Sequence, residues 1–186
     1  MTEKTEAPRW VTNVIHTCMG LQRGEKILIV VDEPLGYARD ALLVEAARTD
    51  PAELWSYTVP NASRPLKEYP PSLLGMLEQA DAIILLLALM DPPKELPAWN
   101  GGKAAIVKGR ARAGIGAFID QSILDLEMSA DYEQIAAFTS SLAERLRGSS
   151  HARVTTALGT DLRMSLQGRE WKLDTGILRG RGVFGN

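Results

Sequence analysis

Two short apolar runs limit what this chain can fold into. Lys26 to Asp32 reads KILIVVD, and Asp81 to Leu89 reads DAIILLLAL. Neither run alternates between apolar and polar residues, and both are short and rich in branched side chains, so each predicts a strand buried on both faces. Strands of this kind are typical of parallel sheets that are covered by helices on both faces.

Helical patterns alternate with strand patterns along the first 150 residues. The predicted helices are 8–19, 37–49, 72–80, 99–112 and 131–147, and the predicted strands are 27–31, 54–57, 82–87 and 115–118. This alternation predicts an α/β fold with a mainly parallel sheet and helices on both faces.

The last of these helices has the clearest pattern. Asp131, followed three residues later by Gln134, predicts an N-terminal cap. The helix has an apolar stripe made of Ile135, Phe138, Leu142 and Leu146. We expect Phe138 and Leu142 to belong to the core, together with residues 83–87.

The pattern changes after residue 150. Residues 153–158, 161–166 and 171–173 read as three short strands separated by turns, which predicts a small antiparallel β meander. The sequence therefore divides into a disordered leader (1–7), an α/β domain (8–150) and the meander (151–186).

Composition excludes several classes of partner. The net charge is −2, with 45% hydrophobic and 24% charged residues, and this balance predicts neither a nucleic-acid nor a membrane partner. The longest apolar run, Ala82 to Met90, is about half as long as a membrane span requires. The polar N-terminus, MTEKTEAPRW, does not fit a secretory signal, so we expect a cytoplasmic protein.

Residues that commonly bind metals are sparse. Cys18 is the only cysteine and has apolar neighbours, which predicts a buried, unreactive thiol. His16 and His151 lie far apart, and neither has the spacing of a metal ligand. The residue pattern therefore predicts no metal ligand in this chain.

Several acidic residues follow predicted strands and allow two interpretations. Asp32 and Glu33 lie at the carboxyl end of the first strand, the edge where parallel sheets usually bind ligands; a structural role in a turn is the favoured alternative. The same holds for Asp91 and Asp120. Asp125, Glu127 and Asp131 resemble a metal cluster, but a role at a helix start is favoured.

The second half of the chain resembles a known family. Ser129-Ala-Asp-Tyr-Glu-Gln-Ile, Leu142-Ala-Glu-Arg-Leu and the stretch from Ala152 to Arg169 closely resemble the aminopeptidase T-like metallopeptidases, as do Asp174-Thr-Gly-Ile-Leu and Gly185-Asn186. The first half agrees more loosely, through Gly24-Glu-Lys-Ile-Leu-Ile-Val-Val-Asp and Ala80-Asp-Ala-Ile-Ile.

The resemblance implies that this chain corresponds to an α/β N-terminal domain and the start of a catalytic domain. In the family, two divalent metals are bound by glutamates, histidines, a tyrosine and an aspartate of the second half, beyond the position of Asn186. The resemblance therefore implies a chain with no catalytic residue, no metal ligand and no cofactor of its own. The family also includes a ring-cleaving pyridine dioxygenase, so the fold alone does not determine the reaction.

Three functions follow as expectations. The first is a non-catalytic accessory protein that binds a peptide or a protein, as a homodimer or with another partner. The second is the N-terminal part of an active metal-dependent leucyl aminopeptidase, and the third, more distant, is part of a related dioxygenase. The residues that we expect to contact a peptide or partner are Arg163, Arg169, Arg179, Arg181, Ile177 and Phe184.

Overall fold

A five-stranded parallel sheet forms the centre of the molecule. The computed structural model describes residues 6–185. The strand order is β2-β1-β3-β4-β7, and every neighbouring pair is parallel. The strands of this sheet are β1 (Lys26–Asp32), β2 (Glu53–Val59), β3 (Ala82–Leu87), β4 (Arg112–Ala117) and β7 (Phe184–Gly185).

The two apolar runs become the two central strands, as predicted. In β1 and β3, Ile27 lies opposite Ala82 and Val31 lies opposite Leu86. Side chains of both strands are buried on both faces of the sheet, so each face has its own apolar core. The fold class is therefore confirmed. A strand without polar alternation can bury all of its side chains only where both faces of the sheet are covered.

Helices cover the two faces of the sheet. They are α1 (Arg9–Thr12), α2 (Gly36–Ala47), α3 (Pro71–Gln79), α4 (Pro92–Gly109) and α5 (Tyr132–Leu146). The core on one face includes residues of α1 and α2, and the core on the other includes residues of α3 and α4. None of the helices within residues 6–185 is both long and apolar enough to cross a membrane.

Two segments have π-helical hydrogen bonding. The first π-turn is Asn13–Cys18, which continues directly from α1, and the second π-turn is Ile123–Glu127. A helical period of 3.6 residues predicted the first helix, but it does not distinguish a π-helix from an α-helix over so short a segment.

Two element boundaries differ from the sequence prediction. β4 begins at Arg112 instead of Ile115, because Ala113 and Gly114 pair with β3 although neither favours a strand by itself. α4 begins at Pro92 instead of Trp99, since proline is well tolerated in the first helical turn.

The predicted three-stranded meander is a two-stranded hairpin. Strands β5 (His151–Thr155) and β6 (Asp161–Ser165) pair antiparallel, and residues 171–173 form no strand. Near the end of the described chain, β7 instead joins the main sheet, where Phe184 lies opposite Ala113. The sequence did not predict this return to the parallel sheet.

Placing Phe138 and Leu142 in the core was wrong. Both side chains are exposed, and α5 has no buried residue. Both residues are apolar and recur at helical spacing. Within the described residues, however, no element packs over them closely enough to bury them. The predicted leader, residues 1–7, lies mostly outside the described residues, although Ala7 packs against the core.

Candidate functional site

Helix α5 has two adjacent stripes that differ in burial. Tyr132, Ala136, Thr139, Ala143 and Leu146 are half-buried and lie on one side of the helix. The neighbouring stripe is apolar but exposed: it consists of Ile135, Phe138 and Leu142, and Phe138 is 68% exposed. The apolar arc of the helix is thus wider than the arc that the protein covers. We call these three residues the α5 apolar stripe.

The β5–β6 hairpin also presents an exposed apolar face. Val154 lies opposite Leu162, and Ala152 lies opposite Met164, so these side chains share one side of the hairpin. Val154, Leu162 and Met164 are exposed. Leu158, at the tip of the hairpin, is fully exposed at 100%. We call Val154, Leu162 and Met164 the hairpin apolar face.

Two of the four predicted contact arginines, Arg179 and Arg181, form ion pairs. Arg179 donates to the carbonyl oxygen of Thr17 at 2.8 Å and to the carboxylate of Glu133 at 2.5 Å. Arg181 donates to the carboxylate of Asp81 at 2.9 Å. These contacts attach the C-terminal segment to the α/β domain.

The other two arginines lie on or beside the hairpin. Arg163 is in β6, opposite Arg153, whose guanidinium is paired with Asp161 at 2.7 Å. Arg169 follows β6 and donates to the carbonyl oxygen of Ser165 at 3.3 Å. Both are exposed, and no ion pair involving either one is found among the described residues.

The predicted apolar contacts, Ile177 and Phe184, lie beside the main sheet. Phe184 is in β7, with its ring edge-on to Trp99 at a centroid distance of 6.0 Å and the ammonium group of Lys103 5.7 Å from its centre. Ile177 is half-buried next to Leu178, which belongs to the core. The six predicted contact residues are therefore divided between the hairpin and the edge of the sheet.

At the carboxyl edge of the sheet, Asp32 has a structural role. Its carboxylate is buried and accepts hydrogen bonds from the guanidinium of Arg64 and, at 2.8 Å, from the backbone N–H of Leu89. Arg64 also binds Glu95 at 2.5 Å. Burial lowers the pKa of Arg64, but the hydrogen bonds to Glu95 and Asp32 outweigh it and raise that pKa above its ordinary value. The favoured interpretation is therefore supported for Asp32.

Four of the remaining predicted acids stabilise turns and helix starts. Asp125 instead bonds to Gln121, and Glu127 makes no hydrogen bond among the described residues. Glu33 accepts from the backbone N–H of Asn61 at 2.8 Å. Asp120 accepts from the hydroxyl of Ser122, which lowers the pKa of Asp120, and Asp91 is paired with Lys94. Asp131 accepts from the backbone N–H of Gln134 at 3.0 Å, so the predicted cap of α5 is confirmed.

Neither histidine lies in a metal-binding arrangement. His16 contacts Glu45 at 2.8 Å, and His151 contacts the hydroxyl of Ser150 at 2.9 Å. Over residues 6–185, no group of three or more histidine, cysteine, aspartate or glutamate side chains is placed to hold a metal ion.

An open apolar cavity of about 250 Å³ lies beside β4. Its lining includes Cys18 and Met19, the glycines of β4, the second π-turn, Tyr132 and Leu178. Cys18 is buried as predicted, and burial raises its pKa from 9.0 to about 11. We call this space the β4 cavity.

Sequence reasoning missed the β4 cavity and the Arg64 ion pairs. Arg64 and Glu95 are far apart along the chain and lie in segments that were not predicted to interact. The two glycines, Gly114 and Gly116, were the only signal for the cavity. Both lie within β4, where the sequence pattern does not indicate a cavity.

Comparison with known proteins gives evidence on the fold alone. No protein-family model matches this sequence, and no curated protein matches it. The structure is similar to that of wild-type AmpT from Thermus thermophilus, with a TM-score of 0.58 and 13% sequence identity. The match covers 95% of this chain and 58% of that chain, so this chain spans less than two thirds of the neighbour's length. The resemblance seen in the sequence is thus supported at the level of an aminopeptidase-like α/β fold.

Proposed function

We propose that this chain is a non-catalytic protein-binding domain with an aminopeptidase-like fold. The observation that carries the proposal is the α5 apolar stripe, in which Ile135, Phe138 and Leu142 are all exposed on one helix. Exposed apolar patches of this kind commonly mark protein interaction sites. The hairpin apolar face is a second such surface.

A second copy of this chain is the partner that we propose first. The α5 apolar stripe has the spacing i, i+3, i+7, which allows two such helices to pack against each other. The net charge of −2 produces little repulsion between copies. Association would remove the large side chain of Phe138 from water, which is favourable by about 25 cal/mol per Å² of buried apolar surface.

Light scattering after size-exclusion chromatography tests this assembly. We expect the chain to elute with twice its monomer mass at micromolar concentrations. The double variant Phe138→Asp/Leu142→Asp should be monomeric, because a buried, unpaired carboxylate is strongly unfavourable in an interface. Ala137→Asp/Ser140→Asp is the matched control: it adds the same two charges at exposed positions on the other side of α5, since successive residues are about 100° apart, and it should leave the dimer intact.

A monomeric wild-type chain at all concentrations would contradict the homodimer. If it also failed to bind any peptide, the second candidate function would remain: the N-terminal part of a metal-dependent leucyl aminopeptidase. The structural similarity to AmpT favours that candidate. In that case the exposed apolar surfaces would be covered by the rest of a longer protein.

Aminopeptidase activity separates the two candidates directly. We expect no release of product from leucyl-p-nitroanilide by the purified chain, with or without zinc, cobalt or manganese. We also expect no stoichiometric binding of these metals. Metal-dependent turnover above a blank that lacks protein would refute the non-catalytic proposal.

Peptide binding along the hairpin is a further part of the proposal. β5 and β6 pair with each other and, among the described residues, with no other strand, so each has an open edge to which an extended peptide can add. Arg163 and Arg169 are exposed and available to bind a carboxylate. Arg179 and Arg181 are less available, because they are already paired with Glu133 and Asp81.

Calorimetric titration with peptides that end in a free carboxylate tests this binding. Arg163→Gln should weaken binding, whereas Arg147→Gln, which removes an exposed arginine paired with Glu144 on α5, should not. Equal affinities for the wild type and Arg163→Gln would contradict the assigned role of Arg163.

A further inference from the structure

The part of β4 that lines the cavity has two positions without a side chain, Gly114 and Gly116. Gly114 and Gly116 are on the same face of β4, because residues two apart in a strand point to the same side. A Cβ atom at Gly114 would lie 3.1 Å from the sulfur of Met19, and one at Gly116 would lie 2.8 Å from Ile119. Glycine inside a strand marks a place where another group approaches the backbone closely, and here Met19 and Ile119 do so.

Both π-turns contribute to the walls of this cavity. Cys18 ends the first π-turn, and Ile123 and Glu127 begin and end the second. π-Helical residues are well under 1% of residues in globular proteins, and they occur frequently at functional sites. Two such segments among the residues that line one cavity are an indication of a binding site.

A third wall is formed by Tyr132 and the C-terminal segment. Gly176 has a φ of +71°, and a Cβ atom there would lie 2.5 Å from the ring of Tyr132. The segment can therefore approach this ring only with glycine at position 176. Leu178, two residues later, lines the cavity and packs into the core. The cavity is thus built from elements that the fold holds in place.

Glu127 determines the charge of the cavity. It is the only charged residue among those that line it. Its carboxylate makes no hydrogen bond and no ion pair with any residue in the described part of the chain, 6–185. Nearby, Arg179 and Glu133 neutralise each other through a 2.5 Å ion pair. Glu127 is exposed, so its carboxylate lies at the solvent-facing boundary of the apolar cavity. This arrangement is complementary to a ligand that has an apolar body and one positive charge.

We propose that the β4 cavity binds a small hydrophobic ammonium compound, with its apolar chain against the apolar lining of the cavity and its ammonium group at Glu127. The size is adequate, because an apolar cavity of about 150 Å³ in another protein accepts a benzene-sized molecule. Tyr132 also lines the cavity, and its ring adds apolar surface for the bound chain.

Three probes with the same six-carbon chain test the site. Hexylammonium, hexanol and hexanoate are titrated into the ¹⁵N-labelled full chain, and binding is followed by the amide signals of Gly114 and Gly116. We expect hexylammonium to bind about three to five times more tightly than hexanol, as an exposed ion pair allows, and hexanoate to bind more weakly than either. Bound hexylammonium should also slow the alkylation of Cys18 by iodoacetamide.

Two variants and a control assign the contacts. Glu127→Gln should abolish the preference for hexylammonium over hexanol without preventing the binding of hexanol. Met128→Trp places a larger side chain in a half-buried wall and should abolish the binding of all three probes; circular dichroism and urea unfolding show whether it remains folded. Asp125→Asn is the control, since Asp125 lies in the same π-turn, is exposed and bonds to Gln121.

Specific outcomes would overturn the inference. Signal changes that do not saturate with hexylammonium would exclude a binding site at the β4 cavity. Equal affinity for hexylammonium and hexanol, or a preference that survives Glu127→Gln, would refute the ammonium specificity. Binding that persists in a folded Met128→Trp variant would place the ligand elsewhere.

Discussion

The guanidinium of Arg64 donates to the carboxylate of Glu95 at 2.5 Å, and both side chains are almost fully buried. The same guanidinium binds Asp32 at the end of β1, and Glu95 also accepts from the backbone N–H of Leu66 at 2.7 Å. Arg64 therefore connects the loop before α3 to β1 and to α4. It is the one positive charge facing two buried carboxylates in this cluster.

Replacing Arg64 with methionine should lower the free energy of unfolding by about 3–5 kcal/mol, because it leaves Asp32 and Glu95 buried without a cation. Arg147→Met is the control: its partner Glu144 is exposed, so the loss should be below about 1 kcal/mol. Urea denaturation followed by circular dichroism measures both. Similar losses for the two variants would mean that the buried cluster contributes no more than a surface pair.

Two neighbouring glycines of α4 should respond oppositely to alanine. At Gly102 a Cβ atom would lie 2.3 Å from the ring of Tyr69, whereas at Gly101 it would meet nothing within 4 Å. Gly102→Ala should cost about 1–3 kcal/mol of stability through overpacking, and Gly101→Ala should gain up to about 1 kcal/mol through helix propensity. Thermal unfolding distinguishes them, and a stable Gly102→Ala would show that the ring of Tyr69 moves freely.

Truncating an exposed and a buried apolar residue should give very different results. Leu85→Ala, in the middle of β3, should cost about 2–5 kcal/mol because it creates a cavity. Phe138→Ala, on the α5 apolar stripe, should change the stability of the monomer by less than about 0.5 kcal/mol. Denaturation at low protein concentration makes the comparison. A large loss for Phe138→Ala in the monomer would mean that this side chain is covered.

The thiol of Cys18 should react slowly at neutral pH. Because only the thiolate reacts, and burial raises the pKa of Cys18 from 9.0 to about 11, alkylation by iodoacetamide should accelerate steeply with pH up to about 11. In urea the same thiol should reach its full rate near pH 9 to 10. A native rate equal to the unfolded rate at pH 8 would contradict the burial.

The same pKa has a consequence for stability. The folded state keeps the thiol of Cys18 protonated to a higher pH than the unfolded state does. Its contribution to stability is therefore complete below pH 9.0 and is lost as the pH rises to about 11. Cys18→Ala should remove this part of the pH dependence, which urea unfolding between pH 8 and 11 would detect.

The sequence alone determined the fold class and most of the elements. The runs of β1 and β3 have no polar alternation, so only a sheet covered on both faces can bury them, and that physical requirement is local. The cap at Asp131 was predictable because it is also a local interaction. The side chain of Asp131 bonds to the backbone N–H of Gln134, three residues later, so the cap does not depend on any tertiary contact.

Only the tertiary structure determines which apolar side chains are buried and which stay exposed. The stripe of α5 predicts a buried helix, but burial depends on which element packs over it, and periodicity carries no information about that. The short strand β7 and the pairing of Arg64 with Glu95 depend on segments that are distant in sequence. The β4 cavity likewise exists because glycines of β4 face two π-turns from other parts of the chain, an arrangement that only the folded molecule creates.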